Sequence, residues 1–165
     1  MTTIRHMVPD DAEAVVGLLR EAWRLAYGPL MGEQKALEAS RAWHTPDKLA
    51  AQAANEDIIS FVAEEPDGRI SGHAMAMMDE NRQAKLARLY IAADKYGSGL
   101  ADDLLRAILA AHAGLPSISL EVMEGNDRAI AFYKKNGFVE TGRKDACGGI
   151  ENVPTLVMTR VLPRA

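Results

Sequence analysis

The stretch Leu120-Glu121-Val122-Met123-Glu124-Gly125-Asn126-Asp127-Arg128-Ala129-Ile130-Ala131-Phe132-Tyr133-Lys134-Lys135-Asn136-Gly137-Phe138 decides how this chain folds. Leading into it, Ile118, Leu120 and Val122 alternate with Ser117, Ser119 and Glu121. A period of two predicts a strand with one apolar face. Asn126 then stands where a helix needs an N-cap, and the helix runs to about Lys135. Asn136-Gly137 supplies its stop. A strand feeding a helix in this way is half of a βα unit, which implies a parallel neighbour.

The neighbour lies upstream, in Leu89-Tyr90-Ile91-Ala92-Ala93-Asp94-Lys95-Tyr96-Gly97-Ser98-Gly99-Leu100-Ala101. Lys85 to Ile91 reads as a strand and Gly97 to His112 as the clearest helix. Leu100, Leu104, Leu105, Ile108 and Leu109 form one apolar stripe along it. Unpaired N–H groups at a helix start, added to the positive end of its dipole, suit an anion. Gly97 and Gly99 carry no side chain to keep a phosphate away from the backbone. Read alone, these glycines can equally do no more than turn the chain. The spacing is neither a Gly-Lys-Ser/Thr phosphate loop nor a full dinucleotide fingerprint, because Asp102 stands where the third glycine belongs.

Outward from these two units the pattern is simpler. Thr3 to Met7 is a strand stopped by Pro9, and Asp10-Asp11 opens a helix carrying Val15, Leu18, Leu19 and Ala22 on one face. That helix is expected to run to about Ala26, with Tyr27-Gly28-Pro29 ending it. Shorter helices follow at Glu33–Ala39 and Pro46–Asn55. Ile58–Glu64 and Ile70–Met78 form a hairpin through Pro66-Asp67-Gly68, where Pro presets one φ and Gly accepts a positive one. Strands at Phe138–Gly142 and Val153–Val161, joined across Gly148-Gly149, finish the chain. The order predicts one mixed α/β domain over residues 1–165, without repeats or linkers.

Composition agrees with a single domain. The 165 residues are 48% hydrophobic and 25% charged, so the chain can bury a core without a metal or disulfide. Nineteen Lys and Arg against 23 Asp and Glu give a formal charge of −4. No basic surplus exists to neutralise a phosphate backbone, so nucleic acid is not an expected partner. The single cysteine, Cys147, cannot form an intrachain disulfide, and no Cys/His cluster suggests a metal. The N-terminus lacks a signal-peptide core and no segment approaches the about 18 apolar residues of a membrane span. A cytoplasmic protein is expected.

Two side chains in the deciding stretch could exchange protons. Glu121 is a carboxylate on the polar side of its strand, and Tyr133 is a phenol two turns along the following helix. Without further context Glu121 can be a solvated acid, Asn126 a cap and Tyr133 a packed ring.

The two segments together resemble the acetyl-CoA-binding core of the Gcn5-related N-acetyltransferases (GNAT). The first family signature, Gln/Arg-x-x-Gly-x-Gly/Ala after a strand, falls on Tyr96-Gly97-Ser98-Gly99-Leu100-Ala101. The second, Asn-x-x-Ala-Ile-x-Phe-Tyr followed by Lys-x-Gly-Phe, falls on Asn126, Ala129, Ile130, Phe132, Tyr133, Lys135, Gly137 and Phe138. The resemblance implies a central, mostly antiparallel twisted sheet of about six or seven strands, flanked by about four or five helices. It implies that Leu89, Tyr90 and Ile91 meet the pantetheine arm of acetyl-CoA through their backbone. Tyr96, Gly97, Ser98, Gly99, Leu100 and Ala101 would grip the pyrophosphate, and Asn126 and Ala129 would meet the cofactor arm. Tyr133 would protonate the departing thiolate. In the branch that acetylates protein N-termini a Glu occupies the position of Glu121, making it the candidate general base, directly or through a water. Two departures stand out: Tyr96 replaces Gln or Arg, and Lys85 stands where many relatives carry a glutamate base.

The acceptor implied is a primary amine of a small molecule, with polyamine, amino acid and drug-like amine open. Protein N-terminal or lysine acetylation and a non-catalytic acyl-CoA-binding module are the alternatives. Family members bind acceptors through the first helices and their loop, here Tyr27, Leu30 and Glu33. Glu33, Glu38, Asp79 and Glu80 could draw a cation, and Trp23, Trp43 and Tyr27 could wall a pocket. A homodimer, paired through Val153–Val161, is also expected from relatives.

Overall fold

The computed structural model describes residues 1–147 and 150–163. The Gly148-Gly149 connection lies outside the described residues. In chain order the elements are β1 (Thr3–His6), α1 (Ala12–Met31), α2 (Glu33–Trp43), α3 (Pro46–Ala54), β2 (Ile59–Glu64), β3 (Ile70–Met78), β4 (Ala84–Ile91), α4 (Leu100–Ala111), β5 (Ser117–Met123), α5 (Asp127–Lys135), β6 (Val139–Cys147) and β7 (Ile150–Val161). Short 3-10 turns occupy Pro9–Asp11 and Ala93–Lys95. The strands form one sheet in the order β1-β2-β3-β4-β5-β7-β6. Every pairing is antiparallel except that of β4 with β5.

The alternation in the strands feeds two cores. On one face Phe61, Ala74, Leu86, Leu120 and Met158 pack against Leu104, Leu105 and Ile108 of α4, with Tyr133 and Phe132 of α5 beside them. On the other, Val62 and Ile70 meet Val15, Leu19 and Leu49 from α1 and α3. β3 can approach α4 closely only because residue 72 is glycine. A Cβ there would lie 2.8 Å from Leu104 Cδ1 and 3.3 Å from Ala63 Cβ.

Three sequence expectations are corrected. First, α1 does not end at Ala26 but continues through Tyr27-Gly28-Pro29 to Met31. Pro29 falls in the last turn, where its missing N–H removes one hydrogen bond without breaking a longer helix behind it. The helix stops instead at Gly32, whose φ is +93° and whose N–H bonds Gly28 O at 2.8 Å. Second, α4 begins at Leu100, with Gly97 and Gly99 held outside it at φ +77° and +88°. Third, β7 lies between β5 and β6, so both of its edges are already filled and it cannot pair across an interface.

β4 carries the feature that builds the site. Met75 pairs with Arg88 and Ala76 with Leu86, leaving Ala87 as a bulge. A single extra residue reverses which face later side chains occupy. Leu89 and Ile91 therefore join the α4 core, while Tyr90 packs on the α1 side. The pairing of β4 with β5 ends at Leu86 with Leu120. Beyond that point the two strands part.

Candidate active site

The parting strands leave the β5-facing edge of β4 without a ladder partner from Ala87 to Ile91. Backbone groups there have hydrogen bonds to give. A cavity of about 550 Å³ opens beside this edge. Leu89, Tyr90, Ile91, Tyr96, Gly97, Ser98, Gly99, Ala101, Asn126, Ala129 and Tyr133 all line it. Of the residues expected at the cofactor, Leu100 alone does not, because its side chain is buried in the core at 5% exposure.

At the mouth of that cavity the glycine turn presents amides. Ser98 N–H is used by Lys95 O at 3.1 Å, and Leu100 N–H reaches Ser98 Oγ at 3.3 Å. Among the described residues the N–H groups of Gly97, Gly99, Ala101 and Asp102 have no such partner. A Cβ at Gly97 or Gly99 would meet nothing within 4 Å, so the space over them is open to a ligand. The cradle is thus made by the flanking amides rather than by that of Ser98 itself. Asn126 occupies the N-cap position of α5 but makes no side-chain capping bond. Asn126 lines the cavity, and among the described residues its side-chain amide has no hydrogen-bond partner.

Three charged residues of this cavity were not expected in the site from sequence: Asp102, Arg128 and Lys135. Lys135 Nζ lies 3.9 Å from Asp102, offsetting a carboxylate beside the anion cradle. The Arg128 guanidinium sits 3.3 Å from the centroid of the Tyr96 ring. Tyr96 thereby holds a cation beside the loop where relatives carry their own donor. The signal was present, since Arg128 lies inside the second motif, but only folding brings it over Tyr96.

On the opposite face lies a second cavity of about 330 Å³. Trp23, Tyr27 and Trp43 wall it, with His44, Lys48, Gln52, Met75, Lys85, Arg88, Tyr90 and Glu121. Trp23, Trp43 and Tyr27, the aromatic residues named from sequence, stand together in this wall. Leu30 and Glu33 line neither cavity: Leu30 packs over Gly125, and Glu33 lies 3.7 Å from Arg24. A narrow gap of about 50 Å³ lies between the parted strands, and both Glu121 and Tyr133 line it. Tyr27 and Tyr90 meet there, hydroxyl to hydroxyl at 3.2 Å.

The two proton-exchange candidates sit in different fields. Burial pushes the Tyr133 phenol well above its ordinary value, with Tyr90 adding to the effect. Its ring is fixed by edge contacts with Phe132 at 5.3 Å and Phe138 at 5.5 Å. Burial also pushes Glu121 upward, but hydrogen bonds from Lys85 and Lys144 outweigh it and hold the carboxyl below its usual range. Lys85, which departs from the family pattern, is therefore the partner of Glu121.

The sequence matches the model of the Acetyltransferase (GNAT) family over residues 15–138, most of the chain. The chain belongs to the GNAT family. An uncharacterized N-acetyltransferase of Mycobacterium tuberculosis is 36% identical over 98 residues, covering 58% of this GNAT chain and 63% of the relative. The chain thus spans less than two thirds of the length of that relative. Among solved GNAT structures, the PaiA N-acetyltransferase of Thermoplasma acidophilum, in complex with coenzyme A, superposes with a TM-score of 0.81. It is 24% identical, over 98% of this chain and 99% of that one. The ribosomal-protein-S18-alanine N-acetyltransferase of Escherichia coli gives 0.74 at 19% identity, over 100% and 96%. Likeness at these identities establishes the GNAT fold. Among the described residues no group of three or more His, Cys, Asp and Glu is placed to hold a metal, and no helix is long and apolar enough to cross a membrane.

Proposed function

We propose that this chain transfers the acetyl group of acetyl-CoA directly to the primary amine of a small molecule. The observation that carries the reading is the meeting of two cavities at the gap between β4 and β5, with Tyr133 and Glu121 at the junction. The larger cavity has an anion cradle at its mouth and an unpaired strand edge along its side, which fits a diphosphate joined to a peptide-like arm. The smaller has a volume at the lower end of those that hold small molecules. Held on either side of one gap, two substrates react without a covalent enzyme intermediate.

Acetyl-CoA supplies the thioester; the chain supplies position and protons. An ammonium must lose its proton before it can attack. Glu121, kept ionised by Lys85 and Lys144, attracts the ammonium and passes its proton to water rather than storing it. The N–H groups on the open edge of β4 near Ile91 are the donors available to the negative charge developing on the thioester oxygen. Tyr133, kept neutral by burial, donates its hydroxyl proton to the leaving sulfur.

The test is direct. The purified chain is mixed with acetyl-CoA and a panel of primary amines, and free CoA thiol and N-acetyl product are followed together. Equal release of both supports the reading. Tight acetyl-CoA binding with no product from any amine supports a binding module instead, and absence of acetyl-CoA binding in calorimetry ends the enzyme reading.

A further inference from the structure

Arg88 is 9% exposed, yet no carboxylate reaches it among the described residues. Its Nη2 donates to Gln52 Oε1 at 2.8 Å, and its Nη1 lies 3.4 Å from both His73 Nε2 and Met75 Sδ. All three partners are neutral. His73 is fixed as an acceptor toward Arg88, because its Nδ1 is 3.0 Å from Phe61 O and donates there. A buried cation with only neutral partners is expensive, and proteins pair such charges or leave them for a ligand.

Arg88 lines both the second cavity and the gap, and its guanidinium partners Gln52 and Met75 line the second cavity with it, which puts its charge at that cavity's wall. The charge balance of that cavity points the same way. Glu121 is its one acid, and Lys85 and Lys144 hold it; among the described residues Arg88 and Lys48 have no acidic partner, Lys48 resting over the Trp43 ring at 4.7 Å. Trp23, in the same wall, keeps its indole N–H buried and without a hydrogen-bond partner among the described residues. The acidic residues expected to draw a cation, Glu33, Glu38, Asp79 and Glu80, line neither cavity.

From this we infer that the acceptor is a free amino acid with an apolar or aromatic side chain, its carboxylate bound by Arg88 and its amine at the gap. The inference rests on the acetyl-transfer reading and names its substrate class. One buried guanidinium balances one monovalent anion, which fits a carboxylate. The aromatic wall of Trp23, Tyr27 and Trp43 suits the side chain. A polyamine brings only further positive charge to Arg88, and the N-terminus of a protein has no carboxylate beside its amine.

The test compares three amines of one skeleton on the full chain: phenylalanine, phenylalanine amide and phenethylamine, alongside the other proteinogenic amino acids and spermidine. Acetyl-CoA binding is measured first by calorimetry, and CoA release is then read for each amine. The expected result is turnover of one or more amino acids, with kcat/KM lower by about 10- to 100-fold when the carboxylate is amidated or removed. In Arg88→Met that preference disappears, while the midpoint of thermal unfolding without ligand stays level or rises, because an unpaired buried charge is gone. Loss of the preference with intact folding separates ligand binding from a structural role. Equal turnover of acid, amide and decarboxylated amine, or preference for spermidine, overturns the inference and leaves acetyl transfer standing. Acetyl-CoA binding without turnover of any amino acid overturns it as well. A chain that binds no acetyl-CoA sinks both readings, and the calorimetry identifies that case.

Discussion

Burial raises the proton affinity of both Tyr133 and Glu121, and only the lysines around Glu121 reverse it there. Neighbouring fields thus separate an acid that keeps its proton from a base that keeps none, a division that suits opposite ends of one reaction. Tyr133→Phe keeps the ring between Phe132 and Phe138 and removes only the hydroxyl. It is expected to lower kcat by about 100-fold or more while acetyl-CoA affinity barely moves, as steady-state kinetics and calorimetry would show. An unchanged kcat would take the acid role away from Tyr133. At the cradle, Arg128→Ala removes the cation resting on Tyr96 and is expected to weaken acetyl-CoA binding by about 10-fold, leaving kcat at saturation near wild type. That loss of binding should shrink as salt rises, since Arg128 is exposed. Tyr133 and Asn126 were legible in the sequence because their motif is contiguous. Arg88 was not, for nothing in Lys85–Ile91 says which side chain will be buried or what will fail to meet it.

Strands and helices were legible as elements because each carries its own period. Hairpin β2–β3, the stripe of α4 and the alternation of β5 all follow from residues near in sequence. The bulge at Ala87 and the passage of α1 through Pro29 follow from partners far away, and neither could be read locally. Yet the bulge turns Tyr90 toward the α1 side of the sheet, and the longer α1 brings Tyr27 into the second cavity's wall. Contact between elements is tested at Gly72, where α4 presses on β3. Gly72→Val places methyl groups where even a Cβ comes within 2.8 Å of Leu104. Overpacking of this kind is expected to cost about 1–3 kcal/mol in urea denaturation. Because α4 starts at the glycine cradle, the same change is expected to weaken acetyl-CoA binding. Wild-type stability together with wild-type affinity in that variant would mean that α4 is free to move away, contrary to the packing described.

Across the whole molecule, the first acid sensitivity comes from two buried histidines, His44 in the wall of the second cavity and His73 behind it. His73 is fully buried, and burial followed by the charge of Arg88 pushes its pKa down to about 3. His44, against Ser40 at 3.0 Å, is pushed to about 3 by burial, then by Arg88 and Lys48. In the unfolded chain both rings take up a proton near their ordinary value of 6.5, while in the folded chain they stay neutral until about 3. The unfolded form therefore binds more protons throughout that window, and unfolding free energy falls as pH drops through it. Each ring contributes a slope approaching about 1.4 kcal/mol per pH unit once the pH is well below 6.5. Asp11 acts later. Its hydrogen bonds from Arg5 at 2.8 and 2.9 Å hold it below its ordinary 3.8, so its stabilisation is lost only at lower pH. Urea denaturation at pH 8, 7, 6 and 5 should thus give a plateau above neutrality and a decline that begins near pH 6.5, before any carboxylate titrates. His73→Gln removes one of the two rings and should make that decline shallower, whatever it does to stability at pH 8. A wild-type curve that stays level down to pH 5, or a variant with an undiminished slope, would mean that these rings are protonated in the folded chain, and Arg88 would then have cations rather than neutral acceptors at its back.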